Sequence, residues 1–172
     1  MAQVPNFSVV VPTEGRIALF ALLLSSLRIA ASLYSGLTEV IIVDSSDKDT
    51  ANHIDTLCRK QDAIYLRGPR SVRAKRNLGI SHAQYEIVLF IDSDCTAVPD
   101  LFIEHAACYQ PGKQEPVGCV GLVHFQPSAS FWSSVVKRTS YGAAFRLAQE
   151  SKSPLWGPTA NISYRASVLR EV

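Results

Sequence analysis

Residues 89–100 read LFIDSDCTAVPD. Three apolar residues, Leu89, Phe90 and Ile91, end abruptly in Asp92-Ser93-Asp94. Together with the preceding residues the run EIVLFI reads as a short buried strand. Two carboxylates one residue apart at the end of such a strand repel each other, so they need a partner. Hard cations such as Mg²⁺ and Mn²⁺ take oxygen ligands, and Mg²⁺ is often held by one or two carboxylates together with substrate phosphates. The competing reading is a strand-end turn with solvated aspartates. What lies beside this strand end decides between them.

Upstream, three more apolar runs alternate with helical stretches. FSVVV (7–11) is a β-branched run expected to stop at Pro12, and residues 16–33 read as a helix. EVIIV (39–43) ends in the polar cluster DSSDKDT, and residues 50–61 read as a helix capped by Asp49 or Thr50. AIYL (63–66) is a third strand. Residues 71–83 read as a helix capped by Ser71, and Pro99 suits the first turn of a helix over 100–109. Continuous apolar strands between helices imply a mostly parallel sheet covered on both faces. Ligands of such sheets sit outside the carboxyl ends of the strands. Thr13-Glu14, Asp44-Ser45-Ser46-Asp47 and Asp92-Ser93-Asp94 then share one edge. Beyond residue 110 the pattern changes: VGCVGLVHF (117–125) reads as a strand, 130–150 as a helix, and NISYR (161–165) as an extended piece.

The 172 residues suit one domain with a real core. A net charge of +2 is too small to imply nucleic acid as a partner. Cys58, Cys95, Cys108 and Cys119 have no C-x-x-C spacing, so they read as core residues of a reducing compartment. The opening MAQVPNFSVVVPT has no basic leader region, and Ser25, Ser26 and Arg28 interrupt the apolar first helix, so neither a leader nor a membrane span is expected. His124 reads as a core residue, and Trp132 and Trp156 as packing residues.

Arg67, Arg70, Arg73, Lys75 and Arg76 fall within ten residues. Cations at a helix N-terminus oppose the helix dipole unless they serve an anion, for which backbone N–H groups and arginines suit a diphosphate. A solvated basic face is the alternative. Gly79 reads as a site of close helix packing.

These pieces resemble, in order along the chain, the family 2 glycosyltransferases. FSVVVPTEGR is similar to that family's opening strand. EVIIVDSSDKDT is similar to its second strand and Ser/Asp/Thr-rich loop. SVRAKRNLGISHAQYEIVLFIDSDC resembles its Ala-Arg-Asn-x-Gly helix leading into an Asp-x-Asp strand, and WGPTANISYRASVL its Gly-x-Asn-x-x-x-Arg segment. The resemblance implies a GT-A fold: an α/β, Rossmann-like sandwich with a mostly parallel central sheet flanked by helices. It implies one domain over 1–172, with a nucleotide-sugar-binding half (1–110) and an incomplete acceptor-side half (111–172).

The implied activity is metal-assisted transfer of a sugar, with inversion, from a nucleoside-diphosphate sugar to an acceptor hydroxyl. A UDP-sugar is the leading donor, and a glycan, lipid or other hydroxyl compound the acceptor. The resemblance implies that Asp44 reads the base with Thr13 and Glu14 lining the pocket. Asp92 approaches the ribose or the metal's water shell, Ser93 belongs to the donor-binding set, Asp92 and Asp94 hold Mn²⁺ or Mg²⁺, Arg73 or Arg76 contacts base or phosphates, and Asn161 lies near the donor sugar or acceptor. The family's catalytic base lies in a Glu-Asp motif beyond the Gly-x-Asn segment. After Asp94 this sequence has Asp100, Glu104, Glu115, Glu150 and Glu171, none in that context, so a chain truncated ahead of its base is expected. The implied location is the cytoplasm, with peripheral attachment at the inner face of the membrane.

Two other readings compete. The fold could bind a nucleotide sugar, or a partner protein, without catalysis. LFIDSDCT also resembles the Asp-x-Asp-x-Thr strand end of haloacid-dehalogenase-type phosphatases, in which Asp92 would be the nucleophile. That family places the strand near the start of its domain, whereas here it is the fourth.

Overall fold

The computed structural model describes residues 4–110, 116–124 and 157–171. β1 (Phe7–Thr13), β2 (Thr38–Asp44), β3 (Ile64–Arg67) and β4 (Ile87–Ile91) alternate with α1 (Ile17–Ser32), α2 (Lys48–Lys60) and α3 (Val72–His82). There follow α4 (Leu101–Cys108), β5 (Gly118–Val120), β6 (Asn161–Arg165) and α5 (Ala166–Arg170). The six strands form one sheet in the order β3-β2-β1-β4-β6-β5. The first four are mutually parallel, and β6 runs antiparallel to both β4 and β5. This is the expected mostly parallel sandwich.

Alternation within the strands explains why the runs are apolar throughout. Phe7, Val9 and Val11 of β1 pack with Phe20, Leu23 and Leu27 of α1, Ile54 of α2 and Phe102 of α4. Val10 points the other way, with Ile41, Val43, Val88 and Phe90, toward Leu78 and Ile80 of α3 and Leu169 of α5. Period-2 side chains thus fill a core on each face. Gly79 lets α3 sit tightly on β1, because a Cβ there would lie 2.3 Å from Val10 Cγ1.

The chain walks from β1 out to β3, then returns under α3 to β4 on the other side of β1. The direction reverses between β1 and β4, and the carboxyl side of such a point is where open α/β sheets bind ligands. That crevice lies between Thr13-Glu14 and Asp92-Ser93-Asp94.

Several expectations need correction. Pro12 does not stop β1; it pairs with Val43. Phe7 N–H reaches Leu37 toward β2, whereas the Asn6 carbonyl faces Ile87 of β4. Even-numbered positions of β1 therefore face β4, and that ladder has ended at Val10–Phe90 before Pro12's missing N–H is needed. The α2 cap is Asp47, not Asp49 or Thr50: its carboxylate accepts from both of their backbone N–H groups. The strand over 117–125 shrinks to Gly118–Val120, and His124 is exposed rather than in the core. Cys58 fills the core as expected, whereas Cys108 and Cys119 are joined in a disulfide between α4 and β5. The helix expected over 130–150, Trp132 and Trp156 lie outside the described residues. Among the described residues no helix is long and apolar enough to cross a membrane.

Candidate functional site

The parallel register aligns the polar strand ends. Thr13 of β1 pairs with Asp44 of β2, and Asp44 pairs with Arg67 of β3. On the far side of β1, β4 delivers Asp92, one residue beyond Ile91.

Asp44 has no solvent exposure, and its carboxylate is filled. Oδ1 accepts from Ser46 N–H at 2.9 Å and from Ser46 Oγ at 2.5 Å. Oδ2 accepts from Tyr65 OH at 2.9 Å and Arg67 Nη1 at 2.8 Å. Burial raises the Tyr65 phenol pKa, so it remains a donor at neutral pH. Four donors satisfy the lone pairs of the carboxylate. A base that reached Asp44 would have to displace Tyr65 or Arg67.

Asp92 and Asp94 are held more loosely. Arg76 Nη2 donates to Asp92 Oδ1 at 3.0 Å, and the Arg16 guanidinium pairs with Asp94 Oδ2. Each aspartate thus meets an arginine, which is how the structure accommodates two carboxylates one residue apart. Each keeps one carboxylate oxygen with no hydrogen bond among the described residues. Arg16 is reached by a tight turn: Gly15 and Arg16 both have positive φ, 71° and 55°. The Gly15 N–H donates to Ser46 Oγ at 2.7 Å, tying this turn to the end of β2.

The basic run divides in two. Lys75 is fully buried, and its Nζ donates to the Thr13 carbonyl at 2.6 Å, with Glu14 Oε2 at 3.9 Å. Burial lowers the Lys75 pKa, and the Glu14 and Asp44 charges oppose that shift. Arg76 reaches Asp92, whereas Arg73 is exposed and makes no ion pair among the described residues. Arg70 lies 3.9 Å from Glu14. Ser71 caps α3 by accepting from Ala74 N–H. Between the alternatives of anion site and solvated face, Arg67, Lys75 and Arg76 face the site and Arg70 and Arg73 face solvent.

Three buried polar atoms at this edge have no hydrogen-bond partner among the described residues: Thr13 Oγ1, Ser45 Oγ and Arg76 Nε. Buried donors and acceptors are ordinarily paired with protein, water or an ion, so these three are open to a further polar partner. Ser93 is half-buried, and Cys95 beside it is a thiol whose pKa burial pushes up to about 11, with the Asp92 and Asp94 charges adding to the effect. Asn161 opens β6 opposite Ile91, which brings it beside Asp92.

The residue set fits a hard divalent cation. No cluster of three or more His, Cys, Asp or Glu side chains forms a ready metal cage among the described residues. Mg²⁺-type sites need only one or two carboxylates, with the remaining positions filled by water and phosphate. Asp92 and Asp94 each have an oxygen with no partner among the described residues.

Sequence reading passed over Arg16, Tyr65, Arg67 as a partner of Asp44, and Lys75 as a buried cation. A cation near the end of β3, in register with Asp44, was the one signal that could have exposed Arg67.

Comparison with known proteins agrees with this fold. The family model described as glycosyl transferase family 2 matches residues 8–170. Among curated proteins none matches the chain in sequence. Among solved structures, the mannosyltransferase PcManGT from Pyrobaculum calidifontis, in complex with GDP-Man and Mn²⁺, is similar with a TM-score of 0.69 at 19% identity; 99% of this chain covers 47% of it. Glucosyl-3-phosphoglycerate synthase from Mycobacterium tuberculosis, in complex with UDP, gives 0.59 at 19% identity over 96% of this chain and 58% of its own. S. aureus TarS 1–349 gives 0.57 at 20% identity, over 96% and 48%. The chain thus spans about half the length of the solved structures it matches. At these identities the likeness establishes the fold, which is GT-A, and with the match over residues 8–170 the chain belongs to glycosyl transferase family 2.

Proposed function

We propose that the carboxyl edge of β1, β2 and β4 is the donor site of a glycosyltransferase acting on a nucleoside-diphosphate sugar. The observation that carries this reading is the juxtaposition at the β1–β4 crevice. Two partly open carboxylates, Asp92 and Asp94, pair with Arg76 and Arg16 at the end of β4, and buried Lys75 and three orphaned polar atoms lie along the same sheet edge. That mixture suits a polyanion bound through both cations and a metal.

In this reading Asp92 and Asp94 hold Mn²⁺ or Mg²⁺, which when bound neutralises charge on the departing diphosphate. Arg76 and the α3 N-terminus add fixed positive charge for the same oxygens. Thr13, Glu14 and Ser45 line the base and ribose side, and Asp44 sets that wall by fixing Tyr65, Arg67 and Ser46. The Lys75 ammonium holds the Thr13 carbonyl, which keeps the Thr13–Arg16 turn in place. Ser93 and Asn161 lie toward the sugar. An acceptor hydroxyl of a glycan, lipid or other compound attacks the anomeric carbon from the opposite face, giving inversion, and holding the reactants in line supplies much of the rate. A UDP-sugar is the first donor to test, and the cytoplasm, including the inner membrane face, the first location.

The test is thermal unfolding with a panel of nucleoside diphosphates, with and without Mn²⁺, on the wild type and Asp94→Ala. A ligand at 100 times its dissociation constant adds about 2.7 kcal/mol. Each kcal/mol moves the midpoint of a chain this size by roughly 2–4 °C. A Mn²⁺-dependent shift with one diphosphate, lost in Asp94→Ala, is expected; no shift with any diphosphate contradicts the donor reading. Adding the matching diphosphate sugar and following its consumption then separates a transferase from a module that binds donor without turnover.

A further inference from the structure

The Asn161 carboxamide is held from three sides. Its Oδ1 lies 2.9 Å from His105 Nε2, its Nδ2 donates to the Leu122 carbonyl at 3.1 Å, and a Cβ on Gly121 would lie 2.1 Å from Nδ2. The Leu122 carbonyl can only accept, so the amide nitrogen belongs on that side and Oδ1 faces the ring. His105 Nε2 must therefore carry a proton.

The rest of the tautomer follows. Nδ1 of the neutral ring is an acceptor, and Ser163 Oγ, 2.8 Å away, donates to it. Ser163 Oγ then accepts from Tyr109 OH at 2.8 Å. His105 is 2% exposed, and burial holds its pKa below the ordinary 6.5, against the opposing pull of the Asn161 hydrogen bond. The ring is neutral at neutral pH, as this donor order requires. The network runs from Tyr109 and His105 at α4 through Ser163 to Asn161, the first residue of β6, whose strand partner Ile91 immediately precedes Asp92. Asn161 is half-buried, and one of its two amide hydrogens has no partner among the described residues.

We propose that His105 is a positioning residue: its Nε2–H fixes the Asn161 carboxamide so that the spare amide hydrogen is presented to the sugar of a nucleoside-diphosphate sugar seated at Asp92-Ser93-Asp94. This rests on the donor-site reading above. His105 touches no substrate and acts through Asn161.

The test separates sugar binding from diphosphate binding. Dissociation constants are measured with Mn²⁺ for UDP and GDP, and for UDP-glucose and GDP-mannose. The ratio of diphosphate to diphosphate-sugar constants is the sugar increment. His105→Gln places an amide nitrogen where Nε2 was, and His105→Asn places one where Nδ1 was. Losing one positioned hydrogen bond is worth about fivefold. The increment should fall about fivefold in His105→Asn and persist in His105→Gln, and His105→Asn should cause no further loss in an Asn161→Ala background. Gly121→Ala, which pushes the carboxamide aside and leaves the ring intact, should reproduce the loss if His105→Asn does not fold. Nitrogen-15 spectra of the wild-type ring should show the Nε2–H tautomer.

Equal effects of Gln and Asn, additivity with Asn161→Ala, or an Nδ1–H ring would overturn the proposal while leaving the donor site standing. Failure of the wild type to bind any diphosphate would overturn the donor reading itself, and this proposal with it.

Discussion

Asp44 and the Asp92–Asp94 pair end strands on either side of β1, yet they are held in opposite ways. Asp44 has no exposure and four internal donors. Among the described residues, Asp92 and Asp94 are partly exposed, with one arginine each and one oxygen each without a hydrogen bond. A saturated carboxylate is worth its place through the groups it organises. An unsaturated one can exchange a partner for a ligand; for the exposed Asp94–Arg16 pair the cost is little, because such a pair contributes only about 0–1 kcal/mol. The two strand ends therefore look alike in sequence and differ in chemistry: under the proposed function, one builds the wall of the donor site and the other binds within it.

Substitutions can break this contrast. The largest effect is expected for Asp94→Ala. Loss of an outer-sphere group typically costs about 10–100-fold in metal affinity, and loss of a ligand itself should exceed about 100-fold. Calorimetric titration of Mn²⁺ in the presence of the bound diphosphate should show that loss, with the unfolding midpoint in the absence of ligand nearly unchanged. Asp44→Ala should do the reverse. It strands the Ser46 N–H and Tyr65 OH, a cost of about 1–3 kcal/mol. Denaturant unfolding should read that cost directly, while Mn²⁺ capture survives.

Gly79→Ala sharpens the comparison from beneath. A methyl group 2.3 Å from Val10 Cγ1 must push α3 away from β1. Overpacking costs about 1–3 kcal/mol, offset by about 1 kcal/mol of helix propensity. Because Arg76 and Lys75 ride on α3, diphosphate affinity should fall along with stability. Mn²⁺ binding without diphosphate should not.

The smallest effect is a pH slope. His105 titrates below 6.5 in the folded chain and near 6.5 in the unfolded one. The unfolded state therefore binds more protons as pH falls below 6.5, and stability drops in that window by at most about 1.4 kcal/mol per pH unit. His105→Gln should remove that part of the acid slope, seen as the difference between the two stability–pH curves. A steeper acid slope in the variant would contradict the neutral, buried ring.

Much of this was legible in the sequence because its signals are local. FSVVV, EVIIV and EIVLFI announce buried strands by runs of β-branched and apolar residues, and polar residues follow the last two at once and the first after Pro12. The placement of Thr13, Asp44 and Asp92 on one edge comes from alternation alone. The helix over 71–83, with its Ser71 cap, was as legible as the strands. What local sequence does not carry is register. Tyr65 and Arg67 reach Asp44 from 21 and 23 residues away, and nothing in AIYL says which residue lies opposite the aspartate. His105 and Asn161 are separated by 56 residues and meet because β6 inserts beside β4 in reverse direction, a turn the parallel pattern does not foretell. Pro12 misleads for the same reason: whether its missing N–H matters depends on where the neighbouring ladder ends. The Asp47 cap was obscured by its surroundings, since Asp47, Asp49 and Thr50 are all good caps and backbone geometry chooses among them.

The central claim is that Asp92 and Asp94, and not Asp44, hold the cation of a diphosphate-binding site. The most direct measurement is the free Mn²⁺ spin-resonance signal, titrated with protein in the presence of the diphosphate that stabilises it. The account predicts capture of about one Mn²⁺ per chain by the wild type and by Asp44→Ala, with capture lost in both Asp92→Ala and Asp94→Ala. Undiminished capture by Asp94→Ala, or loss confined to Asp44→Ala, would contradict it.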